Sequence, residues 1–351
     1  MAPPKATTPT PPRTKTPLGS GTPGNAVPAQ LVGSELTLFL DIDFGILGNS
    51  GGKETAAMTA VHLPSLTPSD PLDLLIYFCG HKNGSVGNGP KLDNMSIDEY
   101  ISQEPSFDLR KMIRGTSKRR FALVVPTLGN GSESGTMVTS GGNIDDFLGM
   151  VCRGVGAGLA AALGSANAAT PKPGNIVLAA HSGGGEPLFR FVQNATAATK
   201  KAIREVWCFD CTYGHGQEWV GLLKGTAPGV TPPTPLLPGL VKLWVVSTGM
   251  TTVTKLALRD PKLKEDPVTN PKEPKCFNSG TGDQARVLLK YGRDSKATNI
   301  EVYHAGLTHC EGEGDLPKAD YNFVGYKYPT GHNQSVGDGL PTLIDKSTVL
   351  K

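Results

Sequence analysis

No stretch of this 351-residue chain approaches the roughly 18 to 20 consecutive apolar residues that a membrane-spanning helix requires. No apolar stretch follows the charge in its opening Met-Ala-Pro-Pro-Lys, so a Sec-type signal peptide is not visible. Together these absences lead us to expect a cytoplasmic protein without a membrane span. Carboxylates are missing ahead of Glu35, while Lys5, Arg13 and Lys15 stand there. The formal charge of +3, from 34 basic and 31 acidic residues, therefore belongs to that leading segment, and the body is neutral. A neutral body offers no positive face for collecting phosphates, which argues against nucleic-acid and membrane-surface partners. No internal repeat is found.

Cysteine is scarce: Cys79, Cys152, Cys208, Cys211, Cys276 and Cys310 are spread thinly. Cys79 and Cys208 lie in apolar, strand-like runs, where a small buried thiol is the expected role. Cys208-Phe209-Asp210-Cys211 spells C-x-x-C. A redox pair of that kind would open a helix, whose dipole lowers the thiol pKa. This one straddles a strand end, which favours a structural role.

Glycine and proline are abundant, 44 and 29 residues, yet below the share of a wholly disordered chain. A hydrophobic content of 38% supports a core, and the length allows one large domain or two ordinary ones. Residues 1–33, with Pro3, Pro4, Pro9, Pro11, Pro12, Pro17, Pro23 and Pro28, are rich in Pro and Thr. Such a segment buries too little apolar area to offset its ordering entropy, and it is expected to be a disordered tether or a docking arm. Residues 34–351 are expected to form one domain.

Glu35 to Phe44 alternates apolar and polar residues like a half-buried strand, and Thr55 to Leu63 can return as its hairpin partner across the Gly48–Gly52 turn. Leu72 to Cys79, Phe121 to Pro126 and Asn175 to Ala180 are buried runs suited to central strands, Ile203 to Phe209 reads as a further strand, and Leu240 to Ser247 and Asn299 to Tyr303 add two more. A helix is expected over Ile144 to Leu163, capped at Asn143, and another over Glu186 to Lys200. Buried strands alternating with helices predict an α/β architecture: a mostly parallel central sheet with helices on both faces, edged by an antiparallel hairpin.

The chemistry concentrates in Asn175 to Glu186, N-I-V-L-A-A-H-S-G-G-G-E, where a buried strand runs through His181-Ser182-Gly183-Gly184-Gly185 straight into a helix. This resembles the nucleophile elbow of the α/β-hydrolase family, G-x-S-x-G, with Ala180 in place of the first glycine and Gly184 as the second. The resemblance implies an α/β-hydrolase fold over about residues 35–345 and Ser182 as a nucleophile for acyl transfer. It also implies an acid and a base later in the chain, in the order Ser, Asp or Glu, His. The family puts its acid after the strand that follows the elbow helix or, more often, one strand later. The later place, Ser247 to Thr252, holds no carboxylate, so Asp210 is the candidate. The base should follow the last strand. His332 is favoured, His309 is its rival, and His304 lies within a strand-like run. The implied oxyanion hole pairs the Gly183 N–H with one from Gly80-His81-Lys82-Asn83-Gly84, where His81 or Lys82 would donate.

The reading is a cofactor-free, metal-free serine esterase acting on a small-molecule or polymeric acyl substrate, with amide cleavage as a variant. Trp219 and the Pro-rich Gly225 to Pro238 are candidate pocket walls or an ordinary surface loop. Two rivals stand beside it. Asp41-Ile42-Asp43 at the end of an apolar strand resembles the first motif of haloacid-dehalogenase-type phosphatases, though Gly45 replaces the family's Thr. The other is a hydrolase fold reused as a non-catalytic binding or assembly module.

Overall fold

The computed structural model describes residues 27–42, 44, 58–80, 101, 108–128, 132–165, 169–213, 215–224, 236–247, most of 285–304, and 334–351. Nine strands form its frame: β1 (Val27–Val32), β2 (Glu35–Asp41), β3 (Met58–Leu63), β4 (Leu72–Phe78), β5 (Phe121–Pro126), β6 (Pro173–His181), β7 (Ile203–Phe209), β8 (Lys242–Ser247) and β9 (Ile300–His304). They join in one sheet in the order β1-β2-β3-β5-β4-β6-β7-β8-β9. The β1–β2, β2–β3 and β3–β5 pairs are antiparallel, and every pair from β5 to β9 is parallel. Strands β4 and β5 are buried at every residue. Their continuous apolar runs are what two covered faces require.

The helices are α1 (Leu109–Arg114), α2 (Gly141–Leu163), α3 (Gly185–Asn194), α4 (Ala197–Ala202), α5 (Gly216–Lys224) and α6 (Gln334–Lys346). Register shows which face each covers. Leu38, Val61, Val124, Ile76 and Leu178 are successive cross-strand partners and so share a face. Gly158 of α2 lies against Leu38, and Phe191 of α3 meets Phe78, two residues along from Ile76. Helices α2 and α3 therefore cover that face. Gly339 of α6 rests on the ring of Phe209, whose neighbour Cys208 aligns with Ala180 and Phe78. Helix α6 thus covers the opposite face, and α1 packs against it. Helices on both faces, as expected, sandwich the parallel strands.

Several boundaries differ from the sequence reading. Val27–Val32, assigned to the Pro/Thr-rich tail on composition, pairs with β2 as an edge strand. The anticipated boundary at 33 therefore falls too late. Helix α2 is capped by Ser140, whose Oγ accepts from Asn143 N at 3.2 Å, rather than by Asn143 itself. The expected helix from Glu186 to Lys200 is two: α3 ends at Asn194, and Thr196 caps α4 by accepting from Thr199 N. An internal Thr oxygen offers the backbone a new start that periodicity does not register.

By length and composition α2 could cross a membrane, contrary to the expectation that no segment could. Ile144, Phe147, Leu148, Val151 and Val155 are nevertheless buried. A methyl at Gly154 or Gly158 would lie 2.5 or 2.6 Å from the side chains of Leu40 or Leu38. Its glycines bring the helix down onto β2, as in a core helix.

Candidate active site

Strand β6 ends at His181, paired with Phe209 at the end of β7. The next residue, Ser182, adopts φ of +52°, the left-handed region that a non-glycine residue enters only under constraint. A single turn over Ser182–Gly184 then leads directly into α3. The constraint is visible in the glycines behind the serine. A Cβ on Gly184 would stand 2.2 Å from the carbonyl oxygen of Phe78, and one on Gly185 would stand 1.8 Å from that of Cys211. Backbone from β4 and from the end of β7 therefore closes on the turn from both sides. In front, a Cβ on Gly80 would come within 2.8 Å of Ser182 Cβ. The loop that leaves β4 thus begins directly against the serine.

Without β1, the sheet is a row of eight strands whose second runs antiparallel and whose third and fourth are exchanged relative to chain order. A left-handed serine stands between the fifth of these strands and a helix. This is the α/β-hydrolase fold.

Within it, Asp210 occupies the place that mirrors Ser182. It follows Phe209 as Ser182 follows His181, and it too is left-handed, at φ of +47°. The residue is buried at 1% exposure, and its backbone N–H donates to Val246 O at 2.6 Å. That burial separates it from an ordinary solvent-facing turn Asp. Ser182 and Asp210 are thus brought to adjacent strand ends, about 5 Å being the spacing of neighbouring strands.

Tyr213 was not singled out by sequence reasoning. Its phenol stands near enough to Ser182 and Asp210 for both to act on it. Burial, then the Asp210 charge, push its pKa up to about 12, against a smaller opposing effect of Ser182. The only sequence signal was its position three residues after the candidate acid, which a loop of unknown path cannot interpret. The same loop is fastened to α3 by His215. Its Nε2 lies 2.5 Å from Glu186 Oε2, and its ring stacks on Phe189 at 4.3 Å between centroids. Partial burial raises the Glu186 pKa, but hydrogen bonds from Arg190 and His215 outweigh it and hold the carboxyl below its ordinary value.

Cys208 and Cys211 flank Asp210 and are both buried. Burial, a hydrogen bond with Cys208 and the Asp210 charge raise the Cys211 pKa well above that of a free thiol. A thiol held protonated is a poor nucleophile, which at Cys211 is in keeping with the structural role expected of the pair. Trp219, a candidate pocket wall, is instead buried in the core, with Phe189 packed edge-on at 5.6 Å. Asp41 ends β2, which runs between two antiparallel neighbours and is separated from β6 by β3, β5 and β4. His304 is the last residue of β9. Asp43, His81, Lys82, Asn83, His309 and His332 lie outside the described residues, as does most of Gly225 to Pro238.

No family model matches this chain, and no curated protein does. Among solved structures, it is similar to LpqC, a poly(3-hydroxybutyrate) depolymerase from Bordetella parapertussis, at 11% identity over 89% of each chain with a TM-score of 0.38. It is also similar to the rice cell wall degrading esterase LipA from Xanthomonas oryzae, at 12% identity over 90% of this chain and 89% of that one, TM-score 0.38. An S-formylglutathione hydrolase from Agrobacterium tumefaciens matches at 10% identity over 80% of this chain and 89% of its own, again with a TM-score of 0.38. At these values the α/β-hydrolase assignment rests on strand order and on the elbow, not on the matches.

Proposed function

We propose that the protein is a serine hydrolase that cleaves a carboxylic ester or related acyl bond through an acyl-enzyme on Ser182. The observation that carries the proposal is the left-handed Ser182 at the β6–α3 turn, half-buried beside a buried Asp210 on the next strand. A serine forced into that conformation projects its Oγ above the sheet, where a substrate carbonyl can reach it.

In this reading a histidine beyond β9, His332 in preference to His309, takes the Ser182 proton as Oγ attacks. Asp210 orients that imidazole and stabilises its cation. The Gly183 N–H, at the amino end of α3, and an N–H of the loop that leaves β4 at Gly80, from His81 or Lys82, stabilise the oxyanion. The proton then passes to the leaving alcohol, and water releases the acyl group by the same steps in reverse order. A small soluble or polymeric ester is the proposed substrate class.

Covalent labelling with a fluorophosphonate tests the assignment. Wild-type protein should gain one adduct that Ser182→Ala does not, and His332→Ala should lose labelling while His309→Ala keeps it. An intact protein that takes no adduct would overturn the hydrolase reading in favour of a non-catalytic module. Labelling lost in His309→Ala alone would move the base to that residue.

A further inference from the structure

We propose that Ser132 is a positioning residue of the active site: through the Cys79 carbonyl it holds the Cys79–Gly80 peptide in place against Ser182. The inference rests on the serine-hydrolase reading and adds to it a residue that the Ser, His, Asp set does not contain.

Among the described residues, four other than glycine have a left-handed backbone: Ser132, Ser182, Asp210 and Lys296. Ser182 follows β6, Asp210 follows β7, and Lys296 is exposed ahead of β9. Ser132, at φ of +63°, lies in the segment after β5 and is buried at 3% exposure. Its Oγ donates at 3.4 Å to the carbonyl oxygen of Cys79, the residue that follows β4. Strands β4, β6 and β7 are parallel neighbours. Three of the four left-handed residues therefore stand in a row along one edge of the sheet, beside three adjacent strand ends. Backbone strain of this kind persists only where the surroundings hold it, and it gathers at functional sites.

The residue type at 132 points the same way. Glycine enters the left-handed region without a steric cost, and Gly135 does so three residues later, at φ of +55°. Position 132 keeps a serine instead. What serine has there beyond glycine is a hydroxyl on Cys79 O.

That carbonyl lies at the junction of the site. A Cβ on Gly184 would stand 2.8 Å from Cys79 O, so the oxygen is within reach of the nucleophile turn as well as of Ser132. The Cys79–Gly80 peptide is trans and planar, so fixing its C=O fixes the direction of the Gly80 N–H, which points the opposite way. Gly80 in turn borders the nucleophile, since a Cβ there would come within 2.8 Å of Ser182 Cβ. A rotation of this one peptide would move the backbone against Ser182 and the start of the loop that leaves β4. Ser132 thus acts through backbone rather than on the substrate. At 3.4 Å the bond is long for a hydroxyl donor, so the expected effect is moderate.

The test compares full-length wild type, Ser132→Gly, Ser132→Ala and Ser182→Ala, using a fluorophosphonate and p-nitrophenyl acetate, with rates referred to the folded fraction from a thermal melt. Labelling rate and kcat should fall about tenfold in both Ser132 variants, a part of the roughly hundredfold that a misplacement of about 1 Å costs. KM should stay within about twofold. Ser132→Gly also relieves the left-handed strain, which offsets the lost bond. It should melt within about 4 °C of wild type, with Ser132→Ala lower. A role confined to structure would leave the folded fraction of both variants at the wild-type rate. Ser132→Gly labelling within about twofold of wild type, while Ser182→Ala fails to label, overturns this inference and leaves the hydrolase reading standing, whatever Ser132→Ala does. If Ser132→Gly does not fold, the rate of Ser132→Ala decides on the same terms. Wild type that does not label overturns the hydrolase reading itself.

Discussion

Replacing Gly185 with alanine probes the contact that joins the nucleophile turn to the loop bearing Asp210. The new Cβ would stand 1.8 Å from Cys211 O, so reaching a carbon–oxygen contact of about 3.3 Å requires a separation of roughly 1.5 Å. Both partners are backbone, and no side-chain rotation relieves the clash. Either α3 tips and carries Ser182 with it, or the Asp210–Cys211 segment retreats. A misplacement of about 1 Å costs about a hundredfold when the reacting groups depend on orientation. Overpacking adds about 1–3 kcal/mol of destabilisation. We therefore expect Gly185→Ala to fold, to melt somewhat lower, and to label with a fluorophosphonate about a hundredfold more slowly. Gly221→Ala in α5 is the control, because its Cβ would meet nothing within 4 Å. There the methyl should stabilise by about 0.5–1 kcal/mol through lost unfolded-state freedom, with activity unchanged. If Gly185→Ala labelled within threefold of wild type, the packing of that loop on α3 would not set the site geometry.

Other substitutions read other parts of the molecule. Asp210→Asn should fold, since Asn tolerates a left-handed backbone, and should lose about four orders of magnitude in ester turnover; a loss under tenfold would remove Asp210 from the site. His62, buried at 1% exposure and bonded to Thr37 Oγ1 at 3.0 Å, has its pKa lowered by burial from 6.5 to about 4. The unfolded chain binds the extra proton between those values, so stability rises with pH there and is lost as pH falls. The full linkage is roughly 3 kcal/mol. Urea unfolding at pH 7 and 4.5 should show that loss in wild type and much less of it in His62→Gln. Glu205, buried in β7, accepts from Trp207 Nε1 at 2.9 Å, Ser347 Oγ at 3.1 Å and Thr348 N at 3.1 Å, tying the C-terminal residues to the sheet. Glu205→Ala leaves the Trp207 and Ser347 donors buried and unpaired and should cost about 3 kcal/mol or more, with Glu205→Gln costing less; equal urea midpoints for the two would refute this.

Legibility differed sharply between sheet and site. Phe121–Pro126 was readable to the residue, because a strand covered on both faces must be apolar without interruption. Val27–Val32 was not. It is an edge strand with Leu31 and Val32 exposed, and Pro28 within it gave the composition of a tail. Ser182 was readable because its turn needs small residues at set spacings, a local demand that the sequence must carry. Asp210 was narrowed down by its strand end, but only register made it the counterpart of Ser182.

By itself, then, the sequence determined the parallel sheet, its antiparallel edge and the serine at the strand–helix turn, all of which depend on short-range pattern and backbone sterics. Tertiary structure alone decided that Asp210 stands at the strand end beside Ser182, that His215 fastens the following loop to Glu186, and that Trp219 belongs to the core. Those contacts join separate elements across the ends of β6 and β7. Their geometry follows from how backbones close on Gly184 and Gly185, which no local spacing encodes.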